Sequence, residues 1–265
     1  MAIMHTAPAL FISHGAPTFA LEPGLLGPKL AAIGAQLSGI SAVLVVSAHW
    51  QTRRVRVAST ASPKTIHDFG GFPAALYQLQ YPAPGAPALA TKALTLLQDA
   101  GFDVSIDDQR GLDHGAWVPL RYLLARANIP AFQVSMPFDL DTTGALQLGA
   151  ALAPLRQQGV LILGSGSLTH NLYEVGQHSL DEAVYAREFV AWIRHAVQNR
   201  DTDALVAYRQ QAPHAARAHP TEEHYLPLLV AVGASAPSES VEWIEGGITH
   251  GVLSMDSVAW GVAKY

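Results

Sequence analysis

The sequence predicts an α/β fold: a single domain over residues 1–265 with a central mixed, mainly parallel sheet flanked by helices. Three observations predict it. Apolar runs of strand length alternate with runs of helix length along the chain. Three of the strand-like runs, PALFISHG, AVLVVSAHW and VLILGSGSLTHN, end in or just before a histidine (His14, His49, His170). Strand C-termini are where open α/β sheets bind their ligands. No repeat, heptad, low-complexity tract or linker divides the 265 residues, and a 49% hydrophobic content supplies a sizeable core.

PALFISHG is the first strand, and residues around Leu25 to Leu37 read as a helix. AVLVVSAHW is a strong strand, rich in valine and bounded by turn residues. A polar turn from Gln51 to Arg54 leads into the strand VRVAST. From Ser62 to Pro87 the chain is dense in Pro and Gly (DFGGFP, YPAPGAP) and reads as a long loop with little helix. Loops of that length inside compact domains are often functional. APALATKALTLLQDAG is a helix stopped by Gly101. FDVSIDD is a strand, GAWVPLRYLLARAN a helix, and PAFQVSM a strand. Thr142 to Gln158 is a helix, and GVLILGSGS a strand. Two helices follow, roughly Leu180 to Arg200 and Asp203 to Gln210, then the loop HAARAHPTEE. HYLPLLVAVG is a helix kinked or restarted near Pro227. VEWIEG and VLSMDSVAWG are closing strands.

Composition narrows the function classes. Charged residues make up 14% and the net charge is −5, with no basic run longer than Arg53-Arg54, so nucleic acid is not an expected partner. The chain has no cysteine, which excludes disulfides, thiolate zinc sites and cysteine nucleophiles. MAIMHTAPALFI lacks the basic start of a signal peptide. No apolar run approaches the ~20 residues that span a bilayer. A soluble, cytoplasmic protein without a membrane partner is expected, as a monomer or homodimer.

The twelve histidines are many for this length. His14 and His49 stand at strand ends beside small residues (Ser13, Gly15, Ser47, Ala48), which let a metal and a substrate approach the backbone. Imidazole is the commonest metal ligand side chain. A lone histidine there would read as a strand cap; two in the same placement point to a site. His224 opens HYLPLLVAV, with Glu222 and Glu223 beside it. His219 and His224 are five apart and do not share a helix face, and the helical signature HExxH is absent. Two histidines with one carboxylate are the usual frame for non-haem Fe(II), so spacing leaves His224 and the two glutamates all open as third ligand. The glutamates also read plainly as an acidic helix start. GSGSLTH begins like a dinucleotide fingerprint, but Thr169 occupies the third glycine position. A tight turn presenting His170 to a pocket fits better. In GLDHGAW, Asp113 reads as a helix cap and His114 as either surface or site. Serine-hydrolase elbows and phosphate-binding P-loops are absent. His5, His67, His178, His195, His214, His219 and His250 read as surface or loop histidines, although His67 lies in the long loop and could fold over a site. Trp50, Phe72, Tyr77, Trp117 and Tyr225 could stack on an aromatic ring, but core packing accounts for most of them.

SHGAP, SAHW, TIHDFGGFP, YPAPG, GLDHGAW, GSGSLTHN and HYLPLL, in this order and spacing, resemble the 4,5-DOPA-extradiol-dioxygenase-like family. That family belongs to the class III extradiol ring-cleavage dioxygenase superfamily, and the likeness runs from about His14 to Trp260. The resemblance implies one divalent, non-haem metal per chain, held by His14, His49 and His224. The wider superfamily often uses a glutamate as third ligand. The histidine here departs from that pattern and leaves Fe(II), for activity, and Zn(II), as the bound ion, both open. His170 matches a histidine that contacts metal or substrate and acts as acid/base. His114 matches a second active-site histidine that steers substrate or dioxygen. The implied reaction inserts O2 into a small aromatic diol, beside the two hydroxyls, to give a muconate semialdehyde. Two rivals on the same fold are a zinc-dependent hydrolase, distinguished by the absence of O2 uptake, and a non-catalytic metal- or ligand-binding protein. The presence of every histidine of the pattern favours the dioxygenase.

Overall fold

The computed structural model describes residues 6–176 and 182–262. His5, His178 and the start of the helix expected at Leu180 lie outside the described residues. Six strands form the central sheet: β1 (Ala9–Ser13), β2 (Ala42–Ser47), β3 (Ala131–Gln133), β4 (Val160–Gly166), β5 (Val241–Ile244) and β6 (Ser257–Trp260). Their order across the sheet is β3-β2-β4-β1-β6-β5. The four strands from β3 to β1 run parallel, and β6 and β5 add antiparallel pairings at the other edge. This is the mixed, mainly parallel α/β sheet that the sequence predicts.

β1, β2 and β4 are buried at every residue. That is why they read as unbroken apolar runs: helices cover both faces of a parallel sheet. Alternation sends Phe11, Leu44, Val46 and Ile162 into one core, and Leu10, Ile12, Val43, Val45, Leu161 and Leu163 into the other. VRVAST and FDVSIDD do form strands, Val55–Ala58 and Val104–Asp107, but they pair with each other outside the central sheet. Arg56 and Asp107 on them stay half-buried and form an ion pair, which a strand covered on both faces would not accommodate.

Most helices hold, with refinements imposed by proline, but the one expected over GAWVPLRYLLARAN ends at Leu123. The helix Thr142–Leu152 gives way to a 3-10 stretch, Ala153–Gln158, at Pro154, which has no N–H to continue the α-helix. Pro227 lies in the first turn of the helix Leu226–Ala234, so it starts that helix rather than kinking it. The Pro/Gly-rich segment contains one short helical turn, Ala74–Tyr77. The stretch from Asp203 to Gln210 divides into Thr202–Val206 and Tyr208–Gln211, and HAARAHPTEE contains the turn Ala215–Ala218. Among the described residues no helix is long and apolar enough to cross a membrane.

Two consequences of this topology position the site. Neighbouring β2, β4 and β1 are in register at Ser47↔Ser165 and Ser13↔Gly166, so His14, His49 and the GSGSLTH turn leave the sheet at one edge. Glycines in β4 then admit the last helix. A Cβ on Gly164 would lie 2.0 Å from the Pro227 carbonyl oxygen, and one on Gly166 would lie 2.1 Å from that of His224. Only glycine lets this backbone rest directly on the strand, which brings His224 to the same edge; Ser167 N–H donates to the His224 carbonyl at 2.9 Å.

Candidate metal centre

Three imidazoles converge through their Nε2 atoms. His14 Nε2 lies 2.9 Å from His49 Nε2, which lies 3.3 Å from His224 Nε2. Burial, reinforced by the neighbouring histidines, holds His14 and His224 well below the ordinary histidine value. Burial likewise lowers His49 to about 4. All three rings are therefore neutral at pH 7, the state that binds metals. Two nitrogens each about 2.0–2.1 Å from one ion, at angles between square and tetrahedral, stand about 2.9–3.4 Å apart. The observed spacings match, and the donor set suits a divalent transition metal.

The proton on each outer nitrogen is set by the next layer of residues. Pro119 lies inside the helix His114–Leu123 and cannot donate to the Gly115 carbonyl four residues earlier. The Ser165 hydroxyl donates to that carbonyl instead. Having spent its only proton, Ser165 Oγ can only accept from His14 Nδ1, 3.0 Å away. His14 therefore carries its proton on Nδ1 and presents a bare Nε2 to the cluster. His224 is held in the same tautomer: its Nδ1 donates to Glu223 Oε1 at 3.2 Å. The His49 backbone is steadied by the Ser47 hydroxyl, which accepts from its N–H at 3.2 Å and donates to Asp113 at 2.7 Å. Asp113 is the helix cap the sequence predicts, accepting from Ala116 N–H at 3.1 Å. Fully buried, it also accepts from Arg110 at 2.7 Å and Gln133 at 2.8 Å.

His170 and His114 flank the cluster. The His170 ring stacks on that of His224, with centroids 3.4 Å apart and planes 9° apart. Burial lowers His170 to about 4. His170, Glu223 and His224 form a second possible ligand group, and His49, Asp68 and His114 a third. The His114 ring lies 4.0 Å from that of His49 and 5.4 Å from that of His14. Asp68, from the long Pro/Gly-rich loop, accepts from His114 N–H at 2.8 Å and faces His114 Nδ1 at 3.0 Å. Burial by itself would raise the Asp68 carboxyl, but the His114 hydrogen bonds and the neighbouring imidazoles outweigh it and bring it to about 2.

Of the residues left open as third ligand, His224 reaches the other two histidines. Glu222 turns away to accept from Tyr208 at 2.9 Å and Arg209 at 3.1 Å. Sequence reasoning missed Asp68 and Ser165; it placed His219 correctly in a loop but did not foresee its burial. His219 is fully buried against Phe189, Tyr208 and Tyr225, and its Nε2 donates to the Leu168 carbonyl at 2.8 Å, pinning the GSGSLTH turn. The one available signal for Asp68 was a carboxylate inside the same glycine-rich motif as His67. Trp50, Trp117 and Tyr225 are buried core residues. Phe69 meets the His114 ring edge-on at 5.6 Å and packs on Phe72 and Tyr77. Arg110 is committed to Asp113 and to the face of Trp50, 5.0 Å from the ring centre.

A cluster of neutral histidines at the C-terminal edge of a mainly parallel sheet is a candidate metal site in the place where open α/β folds bind their ligands. Residues 28–257 match the family described as the catalytic LigB subunit of aromatic ring-opening dioxygenase; the chain belongs to this family of metal-dependent extradiol dioxygenases. It is 41% identical over 251 residues to a 4,5-DOPA dioxygenase extradiol of Beta vulgaris, covering 93% of this chain and 94% of that one. It is 39% identical over 260 residues to a 4,5-DOPA dioxygenase extradiol of Escherichia coli K12, covering 96% and 94%. The crystal structure of an uncharacterized protein from Escherichia coli K12 superimposes with a TM-score of 0.80 at 32% identity, covering 96% of this chain and 99% of that one.

Proposed function

We propose that residues 1–265 act as one catalytic domain that opens the ring of a small catechol bearing a DOPA-like side chain, using O2, to a muconate semialdehyde. The observation that carries this reading is the convergence of three neutral imidazoles on one point through Nε2. In it, His14, His49 and His224 hold one divalent metal. When bound as Fe(II), the metal supplies the redox chemistry and the acidification of the diol hydroxyls that the reaction needs.

The protein's own residues supply the rest. Ser165 and Glu223 keep the protons of His14 and His224 on Nδ1, so both Nε2 lone pairs remain directed at the metal. His170, stacked on His224, is neutral at pH 7 and takes a proton from a diol hydroxyl as general base. It would also serve as a further ligand, from the group it forms with Glu223 and His224. His114, whose ring lies 4.0 Å from that of His49, directs substrate or dioxygen. Phe69, edge-on to His114, offers an apolar face beside it. The substrate names of the relatives in Beta vulgaris and Escherichia coli support the choice of a DOPA-like diol. We place the enzyme in the cytoplasm, with a small aromatic diol and O2 as its partners.

The test is O2 consumption with a near-ultraviolet to visible scan, using anaerobically Fe(II)-loaded protein, a catechol panel including DOPA, protocatechuate and caffeate, and His170→Ala as control. The expected result is O2 uptake with a yellow ring-fission product, abolished in the control. A Zn(II)-loaded sample should bind the diols without consuming O2, because zinc has no redox chemistry. Uptake by a zinc-only sample, or none by protein holding one Fe(II) per chain, refutes the reading.

A further inference from the structure

We infer that Asp68 is a positioning residue that fixes the tautomer of His114, so that a ring carrying one proton holds it on Nδ1 and leaves Nε2 bare; the catalytic consequence rests on the proposed role of His114 beside the metal. Each Asp68 oxygen has its own partner. Oδ1 accepts from the backbone N–H of His114 at 2.8 Å, and Oδ2 faces the ring Nδ1 of the same residue at 3.0 Å. The backbone group can only donate. An ionised carboxylate can only accept, so the proton in the second contact belongs to His114 Nδ1. His114 also opens the helix His114–Leu123, so the carboxylate lies at a helix N-terminus, where negative charge is favoured. The same Oδ2 lies 3.8 Å from Nδ1 of His49, too far for a hydrogen bond, so His114 is its ring partner.

The loop does not depend on this carboxylate for its path. Ile66 N–H donates to the Leu112 carbonyl and Leu112 N–H to the Lys64 carbonyl, both at 2.8 Å. Trp117 Nε1 donates to the Ile66 carbonyl at 2.9 Å. An isosteric change at Asp68 therefore leaves the loop docked.

Asp68→Asn turns this geometry into a test. The His114 backbone N–H demands an acceptor, so the amide oxygen of the variant takes the Oδ1 position. Its NH2 group then faces His114 Nδ1 and donates to it. Nδ1 must give up its proton, and the ring shifts to the Nε2–H tautomer. Asp68→Ala removes both partners and leaves the two tautomers mixed.

The experiment is long-range proton–nitrogen NMR on Zn(II)-loaded protein labelled with 15N in its histidine rings, alongside steady-state kinetics of the Fe(II)-loaded forms. The expected spectrum shows His114 protonated on Nδ1 in the natural protein and on Nε2 in Asp68→Asn. The kinetics should show kcat falling about 10²–10⁴-fold in Asp68→Asn with little change in KM, the size seen when a histidine's orienting partner or acid–base function is lost. Wild-type His114 protonated on Nε2 overturns the inference, whether or not the variants fold. So does an Asp68→Asn protein that keeps the Nδ1 proton or the full kcat. Wild-type protein with the Nδ1 proton but no activity on any diol refutes the proposed reaction instead, and with it the catalytic role of the tautomer, while the structural assignment stands.

Discussion

Ser165→Ala tests whether the second layer of residues governs the metal. The hydroxyl lies between two buried groups: it donates to the Gly115 carbonyl and accepts from His14 Nδ1 at 3.0 Å. Removing it leaves both without a partner, because Pro119 has no N–H to offer Gly115. A buried polar group stranded in this way costs about 1–3 kcal/mol. Two of them should lower the stability of the metal-free chain by about 2–6 kcal/mol. His14 also loses the contact that holds its proton on Nδ1, so part of the population presents Nε2–H to the cluster. Loss of such an outer partner typically weakens metal binding about 10–100-fold. Two measurements check this: urea unfolding of the metal-free proteins and a Zn(II) titration against a competing chelator at pH 7. Unchanged zinc affinity in the variant would refute the claim that Ser165 sets the His14 tautomer, even if stability fell.

Two further predictions concern the scaffold. Gly166→Ala puts a Cβ 2.1 Å from the His224 carbonyl oxygen, so the last helix must lift from β4; overpacking costs about 1–3 kcal/mol, and zinc affinity should fall with it because His224 moves, which the same titration reads. His219, held at about 3 by burial against an unfolded value of 6.5, stays neutral in the fold while the unfolded chain takes up a proton. Its contribution is therefore intact above pH 6.5 and declines as pH falls toward 3, by about 1.4 kcal/mol per pH unit. Urea unfolding of the metal-free protein between pH 7 and pH 5 should show a shallower acid loss in His219→Phe than in the natural protein, and equal slopes would count against the assignment.

The sequence revealed the scaffold wherever a pattern was local. β1, β2 and β4 announce themselves as unbroken apolar runs because both faces are covered. Strand ends are equally local, so the sequence alone assigns His14, His49 and His170 to one edge. Val55–Ala58 and Val104–Asp107 were legible as strands but not as partners in a separate sheet, since pairing is settled by tertiary packing. The supporting residues were hidden for the same reason. Ser165 meets His14 across 151 positions of sequence, and Asp68 meets His114 across 46. His219 stands before a proline in a polar stretch, and its burial comes from three aromatic rings contributed by other segments.

The proline inside the helix His114–Leu123 also constrains how this chain can drift in sequence. Ser165 is needed at full strength only because residue 119 lacks a backbone donor. With alanine at 119, the Gly115 carbonyl would regain its intrahelical bond, and the serine hydroxyl would be released to rotate toward His14. The two positions are therefore epistatic. Serine at 165 can be lost most cheaply after the proline has gone, while removing the proline first frees the hydroxyl to point either way. Substitutions accumulating in relatives of this chain should therefore pass through the two sites in a preferred order.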